Sequence, residues 1–327
     1  MCDNPSGFSR AGVSENMGWH RFSGSLVGAS MTLASLACSG DDPSTSSSSA
    51  LGDAAITVGS FDFAESVVLA EVYSQALEAA GYDVVRAFAL GPREFVGPAL
   101  RNGLIELVPE YAGTAVDFVT LGAAEMSDEA ETTHDQLVSA LEGAEVTVLD
   151  AAPAENTNAF VVTNATSTEH ELDELSDLAA LAGELTFGGP PECVSRRLCL
   201  VGLNDVYDVR FGERLTLDAG GALTRQALRS GHVDVALMFS TDPAIGTDGL
   251  VELVDDRGWQ PAENVTPLLR TEVVDRWGEE VTDVIDEVSS HLTSEAVRRL
   301  SADADGALGG PAVAAAADDW LRSEGLV

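Results

Sequence analysis

From Ile56 onward, short apolar runs alternate with longer segments in which apolar residues recur every three or four positions. Ile56-Thr57-Val58 predicts a strand. Residues 64–80 then carry Val68, Val72 and Ala76 on one stripe with Leu69 and Leu77 beside it, which is helical spacing, and Gly81 stands where a helix-ending glycine belongs. A strand at 83–89, a short helix at 94–101 interrupted by Pro98, and a strand at 104–108 follow. Helices near 112–121 and 132–141 and a strand at 145–150 complete a first set. A second set opens with a strand at 158–163 and continues with a strand at 185–187, a loop rich in Gly and Pro, a helix at 223–229 and a strand at 233–239. Strands near 250–254 and 265–269 and three helices (279–291, 294–302, 311–322) close the chain. Strand and helix in alternation predict an α/β fold with mostly parallel sheets covered on both faces. The two sets read as two lobes, 55–155 with 244–327 and 156–243, the chain crossing near 151–158 and returning near 240–244. A cleft between lobes joined by two crossovers suits a small ligand and hinge closure. No internal repeat is evident.

The first 37 residues have a different character. His20 and Arg21 precede an uncharged, largely apolar run from Gly24 to Ala37, too short to span a bilayer as a helix. Leu36-Ala37-Cys38 and a Ser-rich tether (38–54) follow, a pattern similar to a bacterial lipoprotein signal with Ser35 where Leu is usual. Cys38 is the expected lipidation site, anchoring the protein to the outer face of the cell membrane; ordinary secretion is the alternative, and Met17 would give a signal of normal length. Of the other cysteines, Cys2 falls in the removed segment. Cys193 and Cys199 form an even pair in the Gly/Pro loop, and outside the cytoplasm a disulfide is the natural reading. The five histidines are scattered, so no metal site and no cofactor is expected.

Charge removes whole classes of function. Acidic residues number 54 against 17 basic ones, all Arg, for a net charge of −37. That argues against nucleic acid and electrostatic docking on anionic lipid; it fits a solvated acidic surface facing high salt, and a genome bias favouring Arg over Lys fits it as well. The chain also has no G-x-S-x-G, H-E-x-x-H, G-x-G-x-x-G or phosphate loop, which argues against an enzyme.

Val108-Pro109-Glu110-Tyr111-Ala112-Gly113-Thr114 follows an apolar strand-like run and sets an aromatic ring, a glycine and a hydroxyl at a strand's carboxyl end. Ligands of open α/β sheets bind there, and an aromatic face there attracts a desolvated quaternary ammonium. A packed tyrosine closing a strand-to-helix turn fits these seven residues as well. Five further segments accompany it in order: Val58-Gly59-Ser60-Phe61-Asp62-Phe63-Ala64-Glu65-Ser66, Leu90-Gly91-Pro92-Arg93-Glu94, Asn156-Thr157-Asn158-Ala159, Glu192-Cys193-Val194-Ser195-Arg196 and Phe239-Ser240-Thr241-Asp242. Together, over 56–326, they resemble the substrate-binding proteins of osmoprotectant ABC importers (glycine betaine, choline, carnitine), in a branch similar to actinobacterial members.

The resemblance implies a two-lobed type 2 periplasmic-binding-protein fold that delivers a small osmolyte to a permease and its ATPase, working as a monomer. It places Tyr111 and Phe239 in an aromatic cage around a trimethylammonium head and Arg196 on a ligand carboxylate. Arg196 otherwise reads as a solvated loop arginine beside Arg197. Ser60, Thr114 and Asn158 fall at cleft-lining loop positions, and Phe61, Asp62 and Thr241 belong to the same motifs. Asp242 either accepts a hydrogen bond from the ligand or caps a hinge turn. The chain departs from the family at Phe61, where many relatives have Lys, and at Arg225, where many have a cage tyrosine. With four tyrosines in all (73, 82, 111, 207) the cage reduces to Phe61, Tyr111 and Phe239, with Arg225 expected to repel a cation. A sensory or scavenging lipoprotein for another small polar solute is the alternative function.

Overall fold

The computed structural model describes residues 55–247 and 249–327. The expected signal segment, Cys38 and the tether lie outside the described residues. In the first set, β1 (Ile56–Gly59), α1 (Ala64–Ala79), β2 (Val84–Ala87), α2 (Arg93–Arg101), β3 (Leu107–Tyr111), α3 (Ala112–Val119), α4 (Ala130–Ala140) and β4 (Val146–Val148) follow one another. The second set is β5 (Asn158–Thr163), α5 (Asn164–His170), β6 (Thr186–Gly189), α6 (Leu200–Tyr207), β7 (Glu213–Thr216), α7 (Ala222–Arg229), β8 (Val235–Phe239) and β9 (Leu250–Glu252). The chain then returns as β10 (Val265–Arg270) and ends in α8 (Thr271–Trp277), α9 (Glu280–His291), α10 (Ser294–Asp303) and α11 (Pro311–Glu324).

Two five-stranded sheets result, ordered β2-β1-β3-β10-β4 and β7-β6-β8-β5-β9. Each has three parallel strands and two antiparallel pairings, made by β10 in one and β5 in the other. β5 and β10 are the strands by which the chain enters each lobe. The crossovers run side by side: Val265 N–H donates to the Ala154 carbonyl at 3.0 Å and Asn156 N–H to the Glu263 carbonyl at 3.0 Å.

Helix α1 is buried nearly all round, as a helix between a sheet and other helices must be; it packs against α9, α10 and α11. In the second lobe the two-residue period of the strands sorts side chains between faces. Phe160, Val162, Val235 and Leu237 go to one core, and Ala159, Val161, Ala236 and Met238 to the other. Among the described residues no helix is long and apolar enough to cross a membrane.

Three sequence expectations shift. The third strand lies at Leu107–Tyr111 rather than 104–108, because Pro109 does not end it. Pro109 sits directly opposite Pro267 of β10, so the two residues that lack an N–H share one rung of the ladder. The return to the first lobe falls after β9, not near 244, since Leu250–Thr163 and Val251–Val162 are paired in the second sheet. β7 escaped the periodicity because all four of its residues are exposed on an edge strand, and α5, α6 and α8 are too short to show a clear stripe.

Candidate ligand-binding site

The carboxyl ends of β1, β3, β6 and β8 face a cavity of about 300 Å³, at the lower end of small-ligand sites. Five rings line it; Phe118 comes from α3, and the other four pack together, Phe61 and Phe63 from the β1–α1 loop, Tyr111 from the end of β3 and Phe239 from the end of β8. Phe63 is the link between them. Its centroid lies 5.9 Å from Phe61 in a parallel stack, 5.8 Å from Tyr111 and 4.8 Å from Phe239 in the other lobe. These spacings favour offset aromatic packing.

The loop that carries Phe61 is fixed from within. The Ser66 hydroxyl accepts from Phe61 N–H at 3.0 Å, and the Ser60 hydroxyl accepts from Ala89 N–H at 2.8 Å and donates to the Phe61 carbonyl. Beneath Phe61, Arg93 sits 5.1 Å from the ring centroid. Its Nε and Nη2 donate to the two oxygens of Glu110 at 2.6 and 2.8 Å, and Nη2 also donates to Thr114 Oγ1 at 2.9 Å. Both members of this forked pair are buried, at 8% and 5% exposure, where breaking one partner is costly. Glu110 also accepts from Tyr111 N–H at 2.7 Å.

Glu65, buried in the first turn of α1, ties the lobes together. Its carboxyl accepts from the Tyr111 phenol at 2.7 Å, from the Asn156 amide at 2.7 Å and from the Thr241 hydroxyl. Asn156 belongs to the first crossover and Thr241 follows β8. Burial pushes the Glu65 carboxyl up from its usual range against these hydrogen bonds, and burial beside Glu65 pushes the Tyr111 phenol well above its own.

Glu263, in the second crossover, also lines the cavity. It is 1% exposed. Its Oε2 accepts from Thr114 Oγ1 at 3.3 Å, while Oε1 is buried with no hydrogen-bond partner. Burial pushes its carboxyl up to about 8 against the Thr114 backbone N–H, the Arg93 charge and the Thr114 hydroxyl, with Glu110 adding to the shift. Gly113 makes this approach possible: a Cβ there would lie 2.4 Å from Pro261 Cγ and 2.8 Å from the Ala262 carbonyl oxygen. Only glycine lets α3 lie this close to the crossover.

On the other wall, Cys193 and Cys199 are disulfide-bonded with Cα atoms 5.3 Å apart. The loop between them brings Arg196 and Arg197 to the rim. Arg196 Nη2 donates to both oxygens of Glu94, at 3.1 and 2.8 Å. Arg197 Nη1 donates to Asp117 at 2.8 Å and to the Gly122 carbonyl at 2.6 Å. Both pairs bridge the lobes. Asn158 holds this loop through its amide on the Leu198 carbonyl at 3.1 Å.

Of the residues singled out in the sequence, Phe61, Asp62, Tyr111, Thr114, Asn158, Arg196 and Phe239 line the cavity. Ser60, Thr241 and Asp242 do not: the first two are buried behind it on backbone and on Glu65, and Asp242 is occupied by Arg225 at 3.1 Å and by Ala244 N–H at 2.8 Å. Arg225 likewise falls outside the lining, its charge matched by Asp242, so it does not confront a ligand cation. Arg196, expected on a ligand carboxylate, lines the cavity with its Nη2 on Glu94. The sequence missed Phe63, Arg93, Asn156 and Glu263 as lining residues. The first three lie within quoted motifs, whereas Glu263 carries no motif signal. Among the described residues no His/Cys/Asp/Glu group is arranged to hold a metal ion.

Comparison with known proteins places this geometry. Residues 54–323 match the family model described as the substrate binding domain of ABC-type glycine betaine transport system. The glycine betaine-binding protein YehZ of Escherichia coli (strain K12) is 24% identical over 288 residues, covering 83% of this chain and 90% of that protein. The carnitine transport binding protein OpuCC of Listeria monocytogenes is 26% identical over 264 residues, covering 80% and 84%. Among solved structures, that of a glycine betaine/carnitine/choline ABC transporter protein superposes with a TM-score of 0.64 at 23% identity, over 83% of this chain and 99% of that one. A choline-binding protein in complex with choline gives a TM-score of 0.61 at 17% identity, over 83% and 89%. At such identities the structural likeness shows the two-lobed fold. The match to the family model covers most of the chain, which therefore belongs to the substrate-binding domain family of ABC-type glycine betaine transport systems, a transporter component and not an enzyme.

Proposed function

We propose that this protein captures a quaternary-ammonium or zwitterionic osmolyte of the glycine betaine, choline or carnitine class in the cleft between its lobes and presents it to an ABC permease. The observation that carries this reading is the continuous aromatic wall of Phe61, Phe63, Tyr111 and Phe239 in a cavity of about 300 Å³. Such faces attract a trimethylammonium group once it is desolvated. Phe63 supplies a fourth ring, which compensates for the scarcity of tyrosines. Asp62, Thr114 and Asn158 surround the rest of the ligand, with Arg196 and Arg197 at the rim. The protein acts outside the cytoplasm as a monomer, held at the membrane by lipid on Cys38, with an ATPase driving its permease.

The test is calorimetric titration of the purified protein with glycine betaine, choline and carnitine. At least one binds, and Tyr111→Ala weakens that binding by about 2 kcal/mol, or roughly thirtyfold. Absence of heat from the whole panel refutes the osmolyte reading, and unchanged affinity in Tyr111→Ala refutes the aromatic site.

A further inference from the structure

An unpartnered buried oxygen inside a ligand cleft is costly to leave unpaired and is conspicuous for that reason. Oε1 of Glu263 is such an atom. Glu263 belongs to the cavity lining with the aromatic wall, and Oε2 of its carboxyl is turned to Thr114 Oγ1. The neighbouring cation cannot serve it: Arg93 is forked onto Glu110. We propose that Glu263 is a ligand contact that discriminates zwitterions from cations, its Oε1 donating a hydrogen bond to the anionic end of a zwitterionic osmolyte whose quaternary head rests on the aromatic wall. This rests on the osmolyte reading above and adds the residue that reads the ligand's second pole.

The protonation follows from the surroundings. Arg93 from α2, Glu110 from β3 and Thr114 from α3 act directly on Glu263; Asp62 from the β1–α1 loop, Glu94 from α2, Tyr111 from β3 and Asp117 from α3 share the cavity lining with it, and Glu192, Arg196 and Arg197 line the cleft from the opposite lobe. Three of those carboxylates are already paired with arginines, namely Glu110, Glu94 and Asp117. No unshared positive charge is left to hold Glu263 ionised, and burial keeps it neutral to about pH 8. With Oε2 accepting from Thr114, the proton resides on Oε1. Neutral, the carboxyl donates to a ligand carboxylate. Ionised, it repels a carboxylate and instead suits a cation. Arg196 is the rival for an anionic end; its Nη2 is engaged by both oxygens of Glu94.

The experiment is titration with glycine betaine (zwitterion) and choline (cation) between about pH 6.5 and pH 9, in the wild type and in Glu263→Gln, each first shown to be folded by thermal denaturation. Wild-type affinity for glycine betaine falls at least about fivefold over this range as Glu263 loses its proton, while that for choline holds or rises. Glu263→Gln, whose amide donates at every pH, binds glycine betaine equally at both ends of the range. Thr114→Val, which removes a bond favouring the ionised form, moves the wild-type midpoint to higher pH. A flat wild-type profile for glycine betaine, or the same fall in Glu263→Gln, overturns this proposal and leaves the osmolyte reading standing. If neither probe binds the wild type at any pH, both fall together.

Discussion

Replacing Arg93 by Met should destabilise this protein more than any change at the rim of its cleft. Arg93 and Glu110 form a two-pronged ion pair with bonds of 2.6 and 2.8 Å, both side chains almost completely buried. Methionine preserves much of the volume and the packing on Phe61 but leaves the Glu110 charge with only Tyr111 N–H as donor. An uncompensated buried charge of this kind costs about 3–5 kcal/mol. At about 2 °C per kcal/mol for a chain of this size, the melting temperature falls by roughly 6–10 °C. Glu110→Gln should be milder, because the stranded guanidinium can turn its charge on Glu263, which it already influences. In the double variant Arg93→Met/Glu110→Gln no charge is stranded, and the Gln oxygen still accepts from Tyr111 N–H. It should recover more than half of the loss in Arg93→Met, giving a coupling energy of about 2 kcal/mol in a double-mutant cycle. The assay is thermal unfolding of the ligand-free protein near neutral pH, followed by circular dichroism. A melting temperature for Arg93→Met within about 2 °C of wild type, or strictly additive losses in the double variant, refutes the view that a buried pair underlies the aromatic wall.

Two other outcomes follow from burial and chain closure. Glu263 holds its proton more tightly folded than unfolded, so its contribution to stability is whole below about 4.5 and lost as pH rises through about 8. The complete loss is roughly 4–5 kcal/mol, and urea denaturation should therefore show Glu263→Gln with a flatter decline between about pH 5 and 9; parallel curves count against it. Glu65 is shifted in the same direction, so part of the decline survives in that variant. Cys193→Ser/Cys199→Ser opens a seven-residue ring, a loss of about 2 kcal/mol by loop entropy. Thermal unfolding with and without reductant checks this, and an unaltered melting temperature after two thiols become titratable contradicts it.

Much of the architecture was legible because it depends on periodicity. The helical stripe of Val68, Val72 and Ala76 and the apolar run 158–163 locate α1 and β5 to within a residue or so. The end of β3 was not legible, since Pro109 reads as a strand breaker until its partner Pro267, 158 positions away, is seen to share its rung. Site residues divide in the same way. Tyr111 and Phe239 could be read from motifs at strand ends. Phe63 lies in the same motif as Phe61, but nothing local marks its ring as the one that joins the cage. Arg225 looked hostile to a cation because a sequence shows a charge but not its counter-charge, and Asp242 is that counter-charge. Glu263 was invisible because its importance lies in an atom that lacks a partner, and that is a property of the folded environment alone.

Charge and aromatic packing also make unequal contributions to closing the cleft. Arg196–Glu94 and Arg197–Asp117 bridge the lobes at the rim, each with one member substantially exposed. Such pairs contribute about 0–1 kcal/mol each, and less where the Debye length shrinks toward about 3 Å in molar salt. The contacts deeper in are of another kind. Phe63 against Phe239, and Tyr111, Asn156 and Thr241 converging on Glu65, are shielded from solvent and nearly indifferent to ionic strength. Salt also weakens the mutual repulsion of an acidic surface carrying a net −37. Rising salt therefore removes part of what pulls the rims together and part of what pushes the lobes apart, while the interior latch stays as it was. Closure of the cleft at high salt depends on that buried latch, with Tyr111 as its shared member, more than on the arginines at the rim.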